Sequence, residues 1–327
     1  MRSEFLNELT VAREFKAEKF ATETRIEKDF KAAVDRDDVL HFEQITFFRR
    51  LIDFIWIPIL NRLPEKIGIS FFIKSSRDGK KVRDFARTFR ALEIFYAFDG
   101  KLHFKEEIKN PFQRFIDALF TWIWQHVHNV QAVRNRLKIV VRELNKAIEK
   151  LDINQVNLVS LGAGSARAVI ETTANLNHNG RKIKVVLIDV SQAALDYNRM
   201  LAEEFRIFSD IERIKGRAEK LLQYCLPSVH IVEMVGLADY FRDNKAVKLF
   251  RVVFQTLAPG GYFIVSNIRP NPEEPFVKRI IGWKGMYYRN EKDLMKLLME
   301  AGFSPAQIKL FVEPQNIHTV AVARKFV

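Results

Sequence analysis

The chain has 327 residues, enough to bury one large core or two smaller ones, and 48% of them are hydrophobic, as in an ordinary globular protein. Its formal charge of +13 is spread evenly, +7 over residues 1–150 and +6 over the rest. That favours anionic partners in general but not the one-sided basic stripe of a nucleic-acid binder, and a solvated basic surface is the simpler reading. The single cysteine, Cys225, sits in an apolar stretch, excludes an intramolecular disulfide and is compatible with a reducing compartment. The start MRSEFLNELT lacks the apolar centre of a secretion signal, and no run reaches the roughly 18 apolar residues of a membrane span; LIDFIWIPIL is too short and carries an aspartate. A cytoplasmic location is therefore expected. Phenylalanine is abundant, with 28 copies.

Residues 3–35 read as one long polar helix, with Phe5, Leu9, Phe15, Phe20, Ile26 and Phe30 at roughly helical spacing. Phe47 to Leu63 is a more apolar segment broken at Pro58 and Pro64. KSSRDGKK (Lys74 to Lys81) reads as a polar loop with a turn at Asp78-Gly79, and Val82 to Ala97 as a helix. Asn110-Pro111 opens an aromatic-rich amphipathic helix, and Gln131 to Leu151 continues as a basic helix. Two domains follow from this: a helical N-terminal cap over residues 1–130 and an α/β domain over residues 131–327. The cap is expected either to cover a substrate pocket or to serve as a packing or oligomerisation element. Trp56, Trp122 and Trp124 beside basic residues also admit peripheral contact with a membrane surface, although a core face explains them more simply.

Residues 156–171, VNLVSLGAGSARAVIE, carry the most information. An apolar strand runs into Gly162-Ala163-Gly164 and then into a helix, the geometry of a nucleotide-type site. Free N–H groups at the helix start are expected to face polar ligand atoms. A second apolar strand, Lys184 to Ile188, ends in Asp189, which at the carboxyl end of a neighbouring strand can accept both hydroxyls of a ribose. Further strands are expected at Val229 to Met234 and Tyr262 to Ser266, the latter after a turn at Pro259-Gly260-Gly261. The alternation predicts a mostly parallel, doubly wound α/β sheet.

The GAG turn, the acid ending the second strand and the Leu-x-Pro-Gly-Gly turn resemble class I S-adenosylmethionine (SAM) dependent methyltransferases, over roughly residues 131–327. The resemblance implies a seven-stranded sheet closed by a hairpin of IKLFVE and HTVAVARKF. It implies SAM as cofactor, with Gly162, Ala163 and Gly164 under the methionine part and Asp189 on the ribose. Val190 would pack on the adenine, and Ala218, in GRAEKL, would pass its edge. The chain departs from the family pattern at Ser160, Ala166 and Arg217, where members often carry an acid, a third glycine and an aspartate. GLADYF (Gly236 to Phe241), GGYFIVSNI, Trp283 and Tyr288-Arg289 resemble a bacterial subfamily reading GLxDYL, GGxLxxGN and W…YR, some of whose members are methyl ester synthases; VRNRL (Val133 to Leu137) fits the same group.

Candidate chemistry follows from position. Glu233, near the carboxyl edge of the fourth strand, is a candidate catalytic carboxylate, although contact with the cofactor or a helix cap is the simpler reading. Asn267, Trp283, Tyr288 and Arg289 are candidate acceptor contacts, and Tyr288 a second catalytic candidate. The stretch from Ile268 to Asn290, with Arg269 and Tyr287, could hold an anionic small molecule or a lipid head group, or be an ordinary packed loop. No metal-ligand spacing is visible: His126 and His128 point to different faces, and His230 reads as a buried strand residue. The Asn-Pro-Pro-aromatic signature of amino-group methylation is absent, which disfavours a nucleic-acid substrate. The expected function is methyl transfer to a small-molecule or lipid-like acceptor. The alternatives are a SAM-binding regulator without transfer, an RNA or protein methyltransferase, and a dinucleotide oxidoreductase, against which the missing third glycine and the Pro-Gly-Gly turn argue.

Overall fold

A computed structural model describes residues 41–44, 57–59, 61–177, 182–207 and 211–326. The long helix expected over residues 3–35, Trp56 and most of the Phe47 to Leu63 segment lie outside the described residues. Among the described residues, helices ahead of the sheet include α1 (Glu65–Ser75), α2 (Arg77–Asp84), α3 (Phe89–Tyr96), α4 (Pro111–Gln125) and α5 (His128–Lys150). Then come β1 (Gln155–Leu161), α6 (Arg167–Asn177), β2 (Lys182–Asp189), α7 (Gln192–Glu204), β3 (Ile211–Lys215), β4 (Val229–Met234), α8 (Asp243–Thr256), β5 (Leu257–Ile268), α9 (Glu291–Ala301), β6 (Ile308–Val312) and β7 (His318–Arg324).

The strands form one seven-stranded sheet in the order β3-β2-β1-β4-β5-β7-β6. β1 to β5 pair in parallel, and β7 runs antiparallel between β5 and β6. This is the class I methyltransferase fold, preceded by a helical region. Both sheet faces are covered, so the central strands are Val, Ile and Leu runs. In β1 the period of two sorts them: Val159 and Leu161 join the core with Phe250 of α8 and Leu294 and Leu298 of α9, while Val156 and Leu158 face Leu144, Ile148 and Val169 of α5 and α6. Strand order reverses between β1 and β4, and the crevice above their carboxyl ends is where such sheets bind ligands.

Four local readings are corrected. KSSRDGKK is not a loop. Ser76 caps α2, its Oγ accepting from Gly79 N–H at 2.9 Å and from Trp124 Nε1 at 3.0 Å, so the Asp-Gly pair lies inside a helix. The helix expected over Val82 to Ala97 breaks into α2 and α3, with Arg87 left-handed at φ 68 between them. Pro259-Gly260-Gly261 lies within β5, not before it. It is a bulge that shifts the β4–β5 register between Val229 and Ile231, and Gly260 N–H donates to Lys325 O at 2.9 Å. Cys225 is exposed in a turn at φ 49, away from an apolar setting.

The expected domain boundary at 130/131 falls near the start of α5. The cap core is shared across it: Phe72, Val82, Phe95, Trp124 and Val133 pack with Phe276, Val277 and Ile280 from the segment after β5. Glu273 of that segment caps α5. Its Oε1 accepts from His128 N–H at 3.1 Å and its Oε2 from Asn129 N–H at 2.8 Å, a carboxylate at the positive end of a long helix. Replacing Glu273 with alanine orphans buried donors and is expected to lower stability by about 2 kcal/mol. Urea denaturation of wild type and Glu273→Ala measures it, and unchanged midpoints would refute the capping role.

Candidate cofactor and acceptor site

A cavity of about 770 Å³ opens above the β1/β4 crevice. Its floor includes Gly162, Ala163, Gly164, Asp189, Ala218 and Glu233, and its roof includes Phe89 and Phe95 of the cap. Thus the cofactor positions expected from the sequence, including Val190, border one cavity. Gly162 and Gly164 have φ of 64 and 54, and a Cβ on Gly162 would lie 2.9 Å from Leu237. Only glycine suits that bend beside that neighbour. Ala166 is also left-handed, at φ 52, in the place where family members often carry a third glycine.

The turn's N–H groups are already used. Those of Gly162 and Ala163 donate to Ile188 O at 2.9 and 3.1 Å, and that of Gly164 to Asp189 Oδ2 at 2.9 Å. These three face the neighbouring strand, because the glycine bend folds back onto the end of β2. Asp189 Oδ1 accepts from Ser191 N–H at 2.8 Å. A carboxylate offers about four acceptor positions, so two stay available. Val190 is 64% exposed at the cavity edge, and Ala218 is buried at the start of a 3-10 turn, Ala218–Gln223.

Glu233, next to last in β4, is buried and accepts a hydrogen bond from Ser160 Oγ at 2.5 Å. Burial pushes its pKa up to about 7, against the opposing pull of Ser160, the Val235 backbone and Arg136. Asp239 is pushed up to about 6 by burial, while Ile268 N–H donates to its Oδ1 at 2.7 Å.

The acceptor candidates separate. Trp283 borders the cavity, near-parallel to Phe95 at 6.4 Å, and its Nε1 donates to Tyr240 Oη at 2.7 Å. Asn267, Tyr288 and Arg289 stand behind the wall, not among the residues that border the cavity. Arg289 is held by Asp243 Oδ1 at 2.9 Å, Asn267 Oδ1 at 2.8 Å and the carbonyl oxygens of Ala238 and Phe241. Asn267 Nδ2 donates to Tyr287 O at 3.0 Å. The Tyr288 hydroxyl is buried without a partner, and burial raises its pKa, so the phenol stays protonated at neutral pH. The GLADYF, SNI and W…YR motifs thus meet in one polar cluster that ties residues 282–290 to the ends of β4 and β5.

Other residues at the site escaped the sequence reading. Glu93 of the cap forms an ion pair with Arg167 at 2.5 Å, just past the glycine turn, and accepts from Tyr197 Oη at 2.9 Å. Arg136 and His318 also border the cavity. Arg136 lies within the quoted VRNRL, so its motif was visible although its burial was not. Among the described residues no group of three or more His, Cys, Asp or Glu side chains could hold a metal, and no helix is long and apolar enough to cross a membrane. Half-buried His230 accepts at Nδ1 from Asn157 N–H at 3.0 Å.

Residues 104–325 match the family described as "Putative methyltransferase", more than half of the chain. A structure from Bordetella parapertussis, described as a possible exported protein, superposes with TM-score 0.60 at 16% identity, covering 95% of this chain and 97% of that one. Magnesium protoporphyrin IX methyltransferase from Synechocystis, with bound SAM, superposes at TM-score 0.46 and 13% identity, covering 60% of this chain and 83% of that one. No curated protein matches the chain.

The Glu233 environment predicts a pH effect. Below about pH 4.5 the group is protonated folded and unfolded; as pH rises toward 7 the unfolded chain loses the proton first, so stability falls across that window. The full difference is on the order of 3 kcal/mol. Urea midpoints at pH 4 and pH 8 should converge more closely in Glu233→Gln than in wild type; equal pH losses would show that the carboxyl is not perturbed.

From its family match and its fold, the chain belongs to this methyltransferase family and is a class I, SAM-dependent enzyme.

Proposed function

We propose that the protein transfers a methyl group to a small, lipid-like or anionic molecule held in the 770 Å³ cavity between cap and sheet. The observation that carries this reading is the lining: Phe89, Phe95, Trp283 and Met286 border the same cavity as Glu233, so its walls carry large apolar groups beside one carboxyl. A cavity of this size lies in the ordinary range for small ligands, whereas an RNA or protein substrate needs an open face. The residues fit the cofactor. Asp189, with two acceptor positions spare, would take the ribose hydroxyls. Gly162 and Gly164 would bring the backbone close to the methionine part, and Val190 and Ala218 would flank the adenine. When bound, SAM supplies an electrophilic methyl on a sulfonium sulfur.

Catalysis on this reading is mainly positioning, holding the acceptor and the methyl in line at close range. Glu233 stands at the carboxyl edge of β4 with a pKa near neutrality, suited to take a proton from a hydroxyl or amine acceptor. Asn267, Tyr288 and Arg289 would act from behind the wall, holding Trp283 and its neighbours in place. The Glu93–Arg167 pair would fix the cap over the cofactor turn. A cytoplasmic setting suits the exposed free thiol of Cys225.

Two measurements test this. Asp189→Ala should weaken binding of S-adenosylhomocysteine (SAH) at least tenfold by calorimetry, about 1.4 kcal/mol; unchanged affinity would refute the ribose role. With radiolabelled SAM and a cell extract, label should enter the solvent-extractable small-molecule fraction. Label found instead in precipitated RNA or protein would overturn the acceptor class.

A further inference from the structure

Arg136 stands on α5, 3% exposed, and borders the cavity. Its Nε has no hydrogen-bond partner. The Tyr96 hydroxyl is beside it, but among the described residues no carboxylate forms an ion pair with it. The other buried arginines are saturated. Arg134 holds both oxygens of Glu43, at 2.5 and 2.6 Å, and Gln125 as well. Arg289 holds Asp243, Asn267 and two carbonyl oxygens. Of these three, Arg136 alone borders the cavity and forms no ion pair among the described residues.

The groups around it do not fill that role. Glu233 Oε2 is taken by Ser160, and Asp239 Oδ1 by Ile268 N–H. Arg136 attracts both carboxyls, yet burial raises them, Glu233 to about 7 and Asp239 to about 6, and neither forms an ion pair with it; burial, helped by Arg136 itself, holds His318 well below the ordinary imidazole range and so uncharged. On the sheet side stands Gly236, where even a Cβ would come only to 3.8 Å from Arg136 Nη1, so no side chain screens the guanidinium there. Desolvating a guanidinium that lacks an ion-pair partner is costly, a penalty that an anion bound beside it would offset.

We propose that Arg136 binds the carboxylate of a molecule held in the cavity. The planar fork of N–H donors matches a carboxylate. The neighbouring walls, Val133, Ile268, Val277, Ile281 and Met286, are hydrocarbon and suit the body of a monoanionic organic acid more than a polyanion. Two carboxylates could occupy the position: the amino-acid end of the cofactor, or an acidic group on the acceptor. The inference rests on the transferase reading for what fills the cavity, but its test is a binding preference and needs no turnover.

Calorimetry on the full chain separates the sources. Wild type, Arg136→Met and Arg136→Lys are titrated with SAH and with 5′-methylthioadenosine, which lacks the amino-acid end. The same proteins, saturated with SAH, are titrated with octanoate and octan-1-ol. One of the two preferences for the acid-bearing ligand should fall at least tenfold in Arg136→Met and be partly kept in Arg136→Lys. Loss of the first preference assigns the site to the cofactor, and loss of the second to an acidic acceptor. If both preferences are the same in wild type and a folded Arg136→Met, including the case where wild type has none, the proposal is overturned. Failure of wild type to bind SAH at all would instead sink the transferase reading.

Discussion

The carboxylate of Asp189 joins two turns that belong to different strands. One oxygen receives the N–H of Gly164 after β1, and the other receives the N–H of Ser191 after β2. Ile188 O receives two more N–H groups from the same glycine turn. These bonds pin the floor of the crevice at the place where strand order reverses. They also account for the glycines, since the chain must double back toward β2 with left-handed backbone at residues 162 and 164 and with Leu237 pressed against the bend. The floor is thus rigid before any ligand arrives, and the acid that pins it keeps lone pairs for a guest.

The roof depends on a different constraint. The described part of the cap shares a core with Phe276, Val277 and Ile280, which come from the far side of the sequence. Glu273 in that segment caps α5, and Glu93 in the cap pairs with Arg167 beside the glycine turn. The cap, the post-β5 segment and the cofactor turn are therefore coupled through buried polar contacts at both ends of the cavity. The cluster around Arg289 and Asn267 serves the same end, fastening residues 282–290 so that Trp283 reaches the cavity while its motif neighbours stay behind the wall.

The sheet was legible in the sequence because buried parallel strands are written as short apolar runs, and because Gly162-Ala163-Gly164 and Asp189 punctuate the first two of them. The cap was less legible. Asp78-Gly79 carries a turn signal, but Ser76 supplies a helix cap tied to Trp124, a contact 48 positions away. The break at Arg87 leaves no proline or glycine to mark it. Pro259-Gly260-Gly261 reads as a turn because a bulge uses the same residue types; only the pairing of Gly260 and Gly261 with Lys325 shows that the strand continues. At the site, Glu233 was found from its place on β4. Arg136 lies within VRNRL, yet a basic residue on a basic helix looks like solvated surface. Its burial is set by the cap and by the ends of β4 and β7, which no local pattern records.

The central claim is that the crevice between β1 and β4 holds SAM with Asp189 on its ribose. A crystal structure of the protein grown with SAH tests it most directly. The account predicts density for the nucleoside across that crevice, both ribose hydroxyls on the Asp189 carboxylate and the sulfur facing Glu233. Density for the ligand elsewhere, or a crevice filled by side chains at saturating ligand, would contradict it.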